Sequence, residues 1–146
     1  MIDKSHIGAV VSNHTQEVEA GRLRFFAKAT GQHDPRYSDA EAARAAGYKH
    51  LPVPPTFLFC LDMEAGGSSS MLSRLKIDLG KILHGEQSFT YHQMAYVGDR
   101  LTFESKIVDI YDKKGGALEF VVRETRVTNA AGDLVAELRN SLVVRN

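Results

Sequence analysis

Two stretches of the chain bring together side chains able to hold a water and move its protons. The first is Gly31-Gln32-His33-Asp34-Pro35-Arg36-Tyr37; the second is His84-Gly85-Glu86, followed in the same run by Tyr91-His92. An imidazole beside a carboxylate is a natural general acid/base at neutral pH, because histidine titrates close to neutrality and the carboxylate orients and charges it. His33 with Asp34 makes one such pair. His84 with Glu86 makes the other, and period-two spacing in a strand predicts that they share one face. Each pair also has a plainer reading. Asp34 precedes a proline in a turn, where aspartate commonly caps its own backbone. The His84 and Glu86 face is functional if it points at a substrate, and an ordinary polar face if it points at solvent. Tyr91 and His92 suit a wet surface. Cys60, the one cysteine, lies in an apolar run and is expected to be a small buried hydrophobe rather than a nucleophile.

The elements that must position these residues are legible from periodicity. Glu19 to Thr30 carries Leu23, Phe26 and Ala27 at three- and four-residue spacings between charges, which predicts an amphipathic helix. A short alanine-rich helix over Asp39 to Ala46 follows the polar loop, with Ser38 as its cap and Gly47 as its end. Pro54 and Pro55 suit the first turn of a helix in which Phe57, Leu58, Leu61 and Met63 surround the following turns, and such a helix is buried. Gly66 to Ser70, GGSSS, is predicted to be a flexible loop. From Ile82 onward the pattern has period two. Leu101, Phe103 and Ser105 lie on one face of a strand, Leu118, Phe120 and Val122 on one face of the next, and Leu134 to Leu142 form the last, with turns at 113–116 and 129–133. Helices followed by antiparallel strands define an α+β domain whose sheet wraps one apolar helix.

The bulk numbers exclude several classes. At 146 residues the chain is predicted to be one domain spanning 1–146. Lys and Arg total 18 against 18 Asp and Glu, so no basic footprint marks it for nucleic acid. No apolar run approaches the roughly 20 residues that span a bilayer, and the start, MIDKSHIG, lacks the apolar core of a signal peptide. The expectation is a cytoplasmic protein with no membrane or nucleic-acid partner.

Three segments in order, FAKATGQHDPRYSDAEAARAAGY, PVPPTF and HGEQSFTYHQMAYVGDRLT, resemble the MaoC-like dehydratases and R-specific enoyl-CoA hydratases, specifically the FAS1-like, N-terminal MaoC type. The resemblance implies a hot-dog fold, in which a curved antiparallel sheet wraps a long central helix, and it implies acyl-thioester chemistry. Pro55, Thr56 and Phe57 would open that helix, whose N–H groups and positive end can polarise a thioester carbonyl as water adds to, or leaves, the β-carbon. Thr56 and Phe57 are the candidate amides. The family motif G-D-x-N-P-x-H supplies an Asp and a His that share one water. Here Gly31 and Pro35 match, but Gln32 stands at the Asp position and Tyr37 at the His position. Glutamine has no titratable proton, and tyrosine ordinarily titrates at about 10, so neither suits neutral base work.

The resemblance is therefore closest to members that form the substrate-binding half of a pair, whose partner supplies the acid/base residues. Gln32, Asp34 and Tyr37 then become polar binding groups. Two alternatives stay open: a self-sufficient homodimeric enoyl-CoA hydratase with a displaced pair, His84 with Glu86 or His33 with Asp34, and a non-enzymatic acyl-CoA-binding protein. All three take an acyl-CoA or acyl-ACP thioester, need no metal or organic cofactor, and assemble as a homodimer or as a heterodimer with a MaoC-type catalytic subunit.

Overall fold

The structure is a computed structural model that describes residues 1–64 and 66–146. Its strands follow the period-two pattern. On β3 (Arg100–Lys113) Leu101, Phe103, Ser105 and Ile107 face inward and are buried. The chain returns as β4 (Leu118–Thr128) and again as β5 (Leu134–Arg145), through turns in which Lys114, Gly115, Gly116 and Gly132 take positive φ. β2 (Ile82–Tyr91) pairs with β5. One strand has no counterpart in the sequence pattern: β1 (Val10–Glu17), which pairs with β3. The sheet order is β1-β3-β4-β5-β2, antiparallel throughout. Each of the four pairings carries a register irregularity. Bulges of this kind bend and twist a sheet, which here lets one face close around a helix.

That helix is α3 (Phe57–Glu64), with Phe57, Leu58, Leu61 and Asp62 buried. Phe57, Leu58 and Leu61 belong to one core cluster with Leu101, Phe103, Val127, Ala136 and Leu138 of the sheet, as a hot-dog fold requires. The prolines do not enter the helix as expected; Pro55 and Thr56 form the turn before it. The segment predicted as a loop is helical instead. Gly66 takes a left-handed φ of 76°, and α4 (Gly67–Leu75) continues the helical layer over β1, burying Met71. Glycine and serine favour loops in isolation, but burial beneath a helical turn overrides that weak preference. α1 (Ala20–Ala29) buries Leu23 and Ala27. α2 (Ala40–Ala45) is capped by Asp39, not Ser38, because the Asp39 carboxylate accepts from the Glu41 and Ala42 N–H groups at 2.8 and 3.3 Å. Gly47 ends α2 as expected: its N–H reaches Arg44 O and that of Tyr48 reaches Ala43 O, the Schellman pattern.

The inner face of the sheet is apolar at both ends and polar across the middle. Met71, Ile107, Ile110, Val121 and Leu142 form a second cluster. Between the two lie Ser105, Thr125, Arg123 and Asn140, all buried. Ser12 and His14 of β1 complete this belt, and His14 stacks on Phe103 with centroids 5.3 Å apart and planes within 3°. Burial is the main reason that the His14 imidazole titrates below its ordinary 6.5, while Asp62 pulls it up and Arg123 pushes it down. An imidazole whose pKa falls on folding binds fewer protons folded than unfolded. The stability it supports is complete above about pH 6.5 and is lost as pH drops below that. His14→Phe keeps the stack and removes the titration. Urea midpoints measured at about pH 7.5 and about pH 5 should therefore differ less in this variant than in the parent.

Candidate functional site

The start of α3 is fixed from two sides. Segment 51–55 is tied to 95–97, with Val53 N–H on Ala95 O at 2.8 Å and Val97 N–H on Leu51 O at 2.9 Å. Opposite, the Tyr91 hydroxyl donates to the Pro55 carbonyl at 2.7 Å. The Phe57 N–H, one of the two nominated amides, is committed to the Pro54 carbonyl at 2.9 Å. The N–H groups without a backbone acceptor among the described residues are those of Thr56 and Leu58. Of the two nominated amides, Thr56 keeps a free N–H and Leu58 stands in place of Phe57.

Two open cavities flank this helix start. One, of about 400 Å³, is lined by Tyr37, Tyr48, Pro54, Pro55, Leu58, Tyr91, His92 and Met94, among others. The other, of about 530 Å³, is a trough lined by Phe26, Thr30, Thr56, Phe59, Cys60, His84, Gln87 and Phe89. Tyr37 and Pro55 therefore meet at the first, and Thr56 and His84 at the second. His84 packs edge-on against Phe59, centroids 6.2 Å apart. Burial pushes the Cys60 thiol up, and with it the cost of a thiolate, in keeping with an apolar lining role.

The other nominated residues lie elsewhere. Gln32 is exposed, and its Oε1 accepts from the Asp34 N–H at 3.1 Å, so its side chain serves its own loop. Asp34 caps the turn Pro35–Tyr37 by accepting from the Arg36 N–H at 3.0 Å, and its other oxygen meets Arg36 Nε at 2.8 Å. These contacts, the backbone one first, hold its carboxyl below the ordinary carboxylate range, the opposite of what a base requires. His33 is exposed beside it. His84 and Glu86 do not share a face. A bulge at Gly85 shifts the register so that His84 pairs with Leu142, which faces the core, and Glu86 with Ser141. Glu86 then lies in a small outer-face hollow with Asp109, Tyr111 and Arg139. A side chain on Gly85 would come within 2.8 Å of Val143 and 3.0 Å of the Ser141 carbonyl, so the bulge depends on glycine. That glycine was the one signal in the sequence that strict alternation fails there.

Gln87, Phe89 and Tyr48 are not singled out by spacing and Phe26 only as part of a helix stripe, and all four reach the cavities through the fold. His92, read as ordinary surface, lines the Tyr37 cavity, with Nε2 2.9 Å from Glu137 Oε2. Burial raises the Tyr91 phenol above its ordinary value.

A bent antiparallel sheet closed on a buried helix, with cavities at that helix's amino end, defines a hot-dog protein. The chain belongs to the FAS1-like dehydratase family: residues 5–138 match the FAS1-like dehydratase domain region. A UPF0336 protein of Streptomyces avermitilis is 35% identical over 145 residues, covering 99% of this chain and 95% of that protein. Among solved structures, the C-terminally truncated HadBC (3R-hydroxyacyl-ACP dehydratase) complex of Mycobacterium tuberculosis superposes with a TM-score of 0.80 at 25% identity, covering 94% of this chain and 96% of that one. A MaoC-like dehydratase gives a TM-score of 0.81 at 22% identity, with 95% of this chain on 43% of that one.

The geometry separates two substitutions. Tyr91→Phe removes the tie to Pro55 and should cost about 0.5–1.5 kcal/mol in a urea titration. Glu86→Gln, on the outer face, should change stability by less than about 0.5 kcal/mol.

Proposed function

We propose that the chain is the substrate-binding subunit of a 3-hydroxyacyl-thioester dehydratase or enoyl-thioester hydratase, with the acid/base pair supplied by a MaoC-type partner subunit. One observation carries this reading. The start of α3 offers N–H groups for a thioester carbonyl beside an apolar trough for an acyl chain, yet no carboxylate lines either cavity among the described residues. A site with an electrophile-polarising element but without a carboxylate and an imidazole sharing one water is suited to bind and orient a substrate rather than to complete a hydration alone. Gln32 and Tyr37, at the motif positions, fit this division: one braces its loop and the other lines a cavity as a polar wall.

The trough also lacks one side. Its residues His84, Gln87 and Phe89 come from β2, the end strand of the sheet, which pairs only with β5. An end strand with exposed Leu83 and Tyr91 is a template for association, and a second hot-dog domain docked along it would cover the trough and hide the edge. The thioester arrives on CoA or an acyl carrier protein, and the chemistry needs no metal or organic cofactor.

A second reading, a self-sufficient homodimeric hydratase, draws on His92, the imidazole of the Tyr37 cavity in contact with the Glu137 carboxylate. Crotonyl-CoA hydration decides between them. The chain alone is expected to run slower, by about 10²–10⁴-fold, than the chain mixed with a MaoC-type subunit carrying the Asp and His. Full activity of the lone chain, abolished by His92→Gln, would establish the second reading instead. Binding without turnover in either mixture would leave a non-enzymatic acyl-CoA-binding protein.

A further inference from the structure

The helix that presents the Thr56 and Leu58 N–H groups has little in its own sequence to hold it at one depth. Phe57 to Leu61 is apolar on every side, and an apolar helix in an apolar concave sheet can slide or rotate at modest cost, since one hydrophobic contact replaces another. The side-chain ties at its ends are exposed, Tyr91 to the Pro55 carbonyl and Arg22 to Glu64, and the backbone bonds of Val53 and Val97 hold the segment before the helix rather than the helix itself. Exposed ion pairs and hydrogen bonds fix position weakly. Gln16 adds one bond to the Leu61 carbonyl at 3.2 Å.

Inside the core the situation differs. Asp62 of α3 and Arg123 of β4 form an ion pair at 2.6 Å, with both side chains 2% exposed. Arg123 also reaches the Ser105 hydroxyl at 3.5 Å, and Ser105 and Thr125 are bonded at 2.6 Å. Gly67, the first residue of α4, has no Cβ where one would lie 2.7 Å from the guanidinium and 3.0 Å from the Ser12 hydroxyl. Three elements thus leave room for one guanidinium at one height, between two apolar clusters. A slip of α3 by one turn would set an apolar side chain against Arg123 and strand both charges in a dry interior, a cost no compensating contact removes. A single buried polar pair can specify register in this way even where it adds little stability.

We propose that Asp62 and Arg123 are positioning residues: their pair sets the depth and rotation of α3 and so places the Thr56 and Leu58 N–H groups at the cavities. The consequence for ligand binding rests on the acyl-thioester reading above, whereas the positional claim does not. The test is the double variant Asp62→Leu/Arg123→Met, which replaces the pair by apolar groups of similar size and is expected to fold with undiminished stability. In its amide NMR spectrum Thr56 and Leu58 should broaden or double while β3 and β4 keep their shifts. Octanoyl-CoA, titrated with the MaoC-type subunit present, should bind at least about tenfold more weakly than to the parent. Single, unmoved Thr56 and Leu58 resonances in the folded double variant overturn the proposal. If that variant does not fold, Gly67→Ala, which keeps both charges and crowds the guanidinium, is judged by the same resonances. A parent that binds no octanoyl-CoA in either setting sinks the acyl-thioester reading, and the resonances still decide the positional claim.

Discussion

A helix with no polar side over its first five residues cannot be left in water, and the rest of the molecule is arranged around hiding it. Burying Phe57, Leu58 and Leu61 requires a concave apolar surface, and a flat sheet does not provide one. The register shifts in each strand pair supply the bend, and α1 and α4 cover what the sheet leaves open. The same requirement produces the site. Just before the buried helix Pro55 and Thr56 are exposed, and there the Thr56 and Leu58 N–H groups have no backbone acceptor among the described residues. Enclosure of the helix and unpaired N–H groups at its start are two outcomes of one packing problem.

The belt of polar residues across the core looks wasteful beside this apolar demand. Its members are register partners across the sheet: Ser12 with Ser105, Ser105 with Thr125, Arg123 with Asn140, and Asn140 with Gln87. Ser105 and Thr125 bond each other and Asn140 bonds Gln87, which limits their desolvation penalty, whereas the Ser12 hydroxyl and Arg123 Nε have no hydrogen-bond partner among the described residues. Asn140 donates to the Gln87 amide oxygen at 3.2 Å, so the belt ends at the wall of the trough. Core polarity reaches the trough's one amide side chain through the row of Arg123, Asn140 and Gln87, which lies beside the row of Ser12, Ser105 and Thr125.

How much of this the sequence discloses depends on whether local pattern or tertiary contact decides each element. β3, β4 and β5 alternate in plain view, and α1 shows its stripe. β1 does not, because its inner face carries Ser12 and His14, side chains that satisfy the core by stacking and polar proximity rather than by hydrophobicity. Residues 67–70 look like a loop because the reason for Gly67 is an arginine 56 positions downstream. Gln32 and Tyr37 were placed by motif alone, and the fold brings only Tyr37 to a cavity. The His84 and Glu86 pair failed for a single cause, the bulge at Gly85, since one extra residue reverses every side chain beyond it.

The positions at which the family motif departs are also the positions the fold can best spare. The turn that carries them is held by the Asp34 cap, by Pro35 and by the Arg36 contacts to Asp34 and Tyr48. None of these depends on what occupies residue 37, and residue 32 contributes one bond to the loop, which glutamine supplies from its amide oxygen. Support for the turn therefore does not depend on an acid/base pair at those positions. The segment before the helix, by contrast, is bound to residues 95–97 through Val53, and Leu58 is buried in the core, so the position of the helix start depends on the packing of the layer around it. On the proposed reading, binding and orientation belong to the fold of this chain, and proton transfer belongs to a surface turn that a second subunit provides.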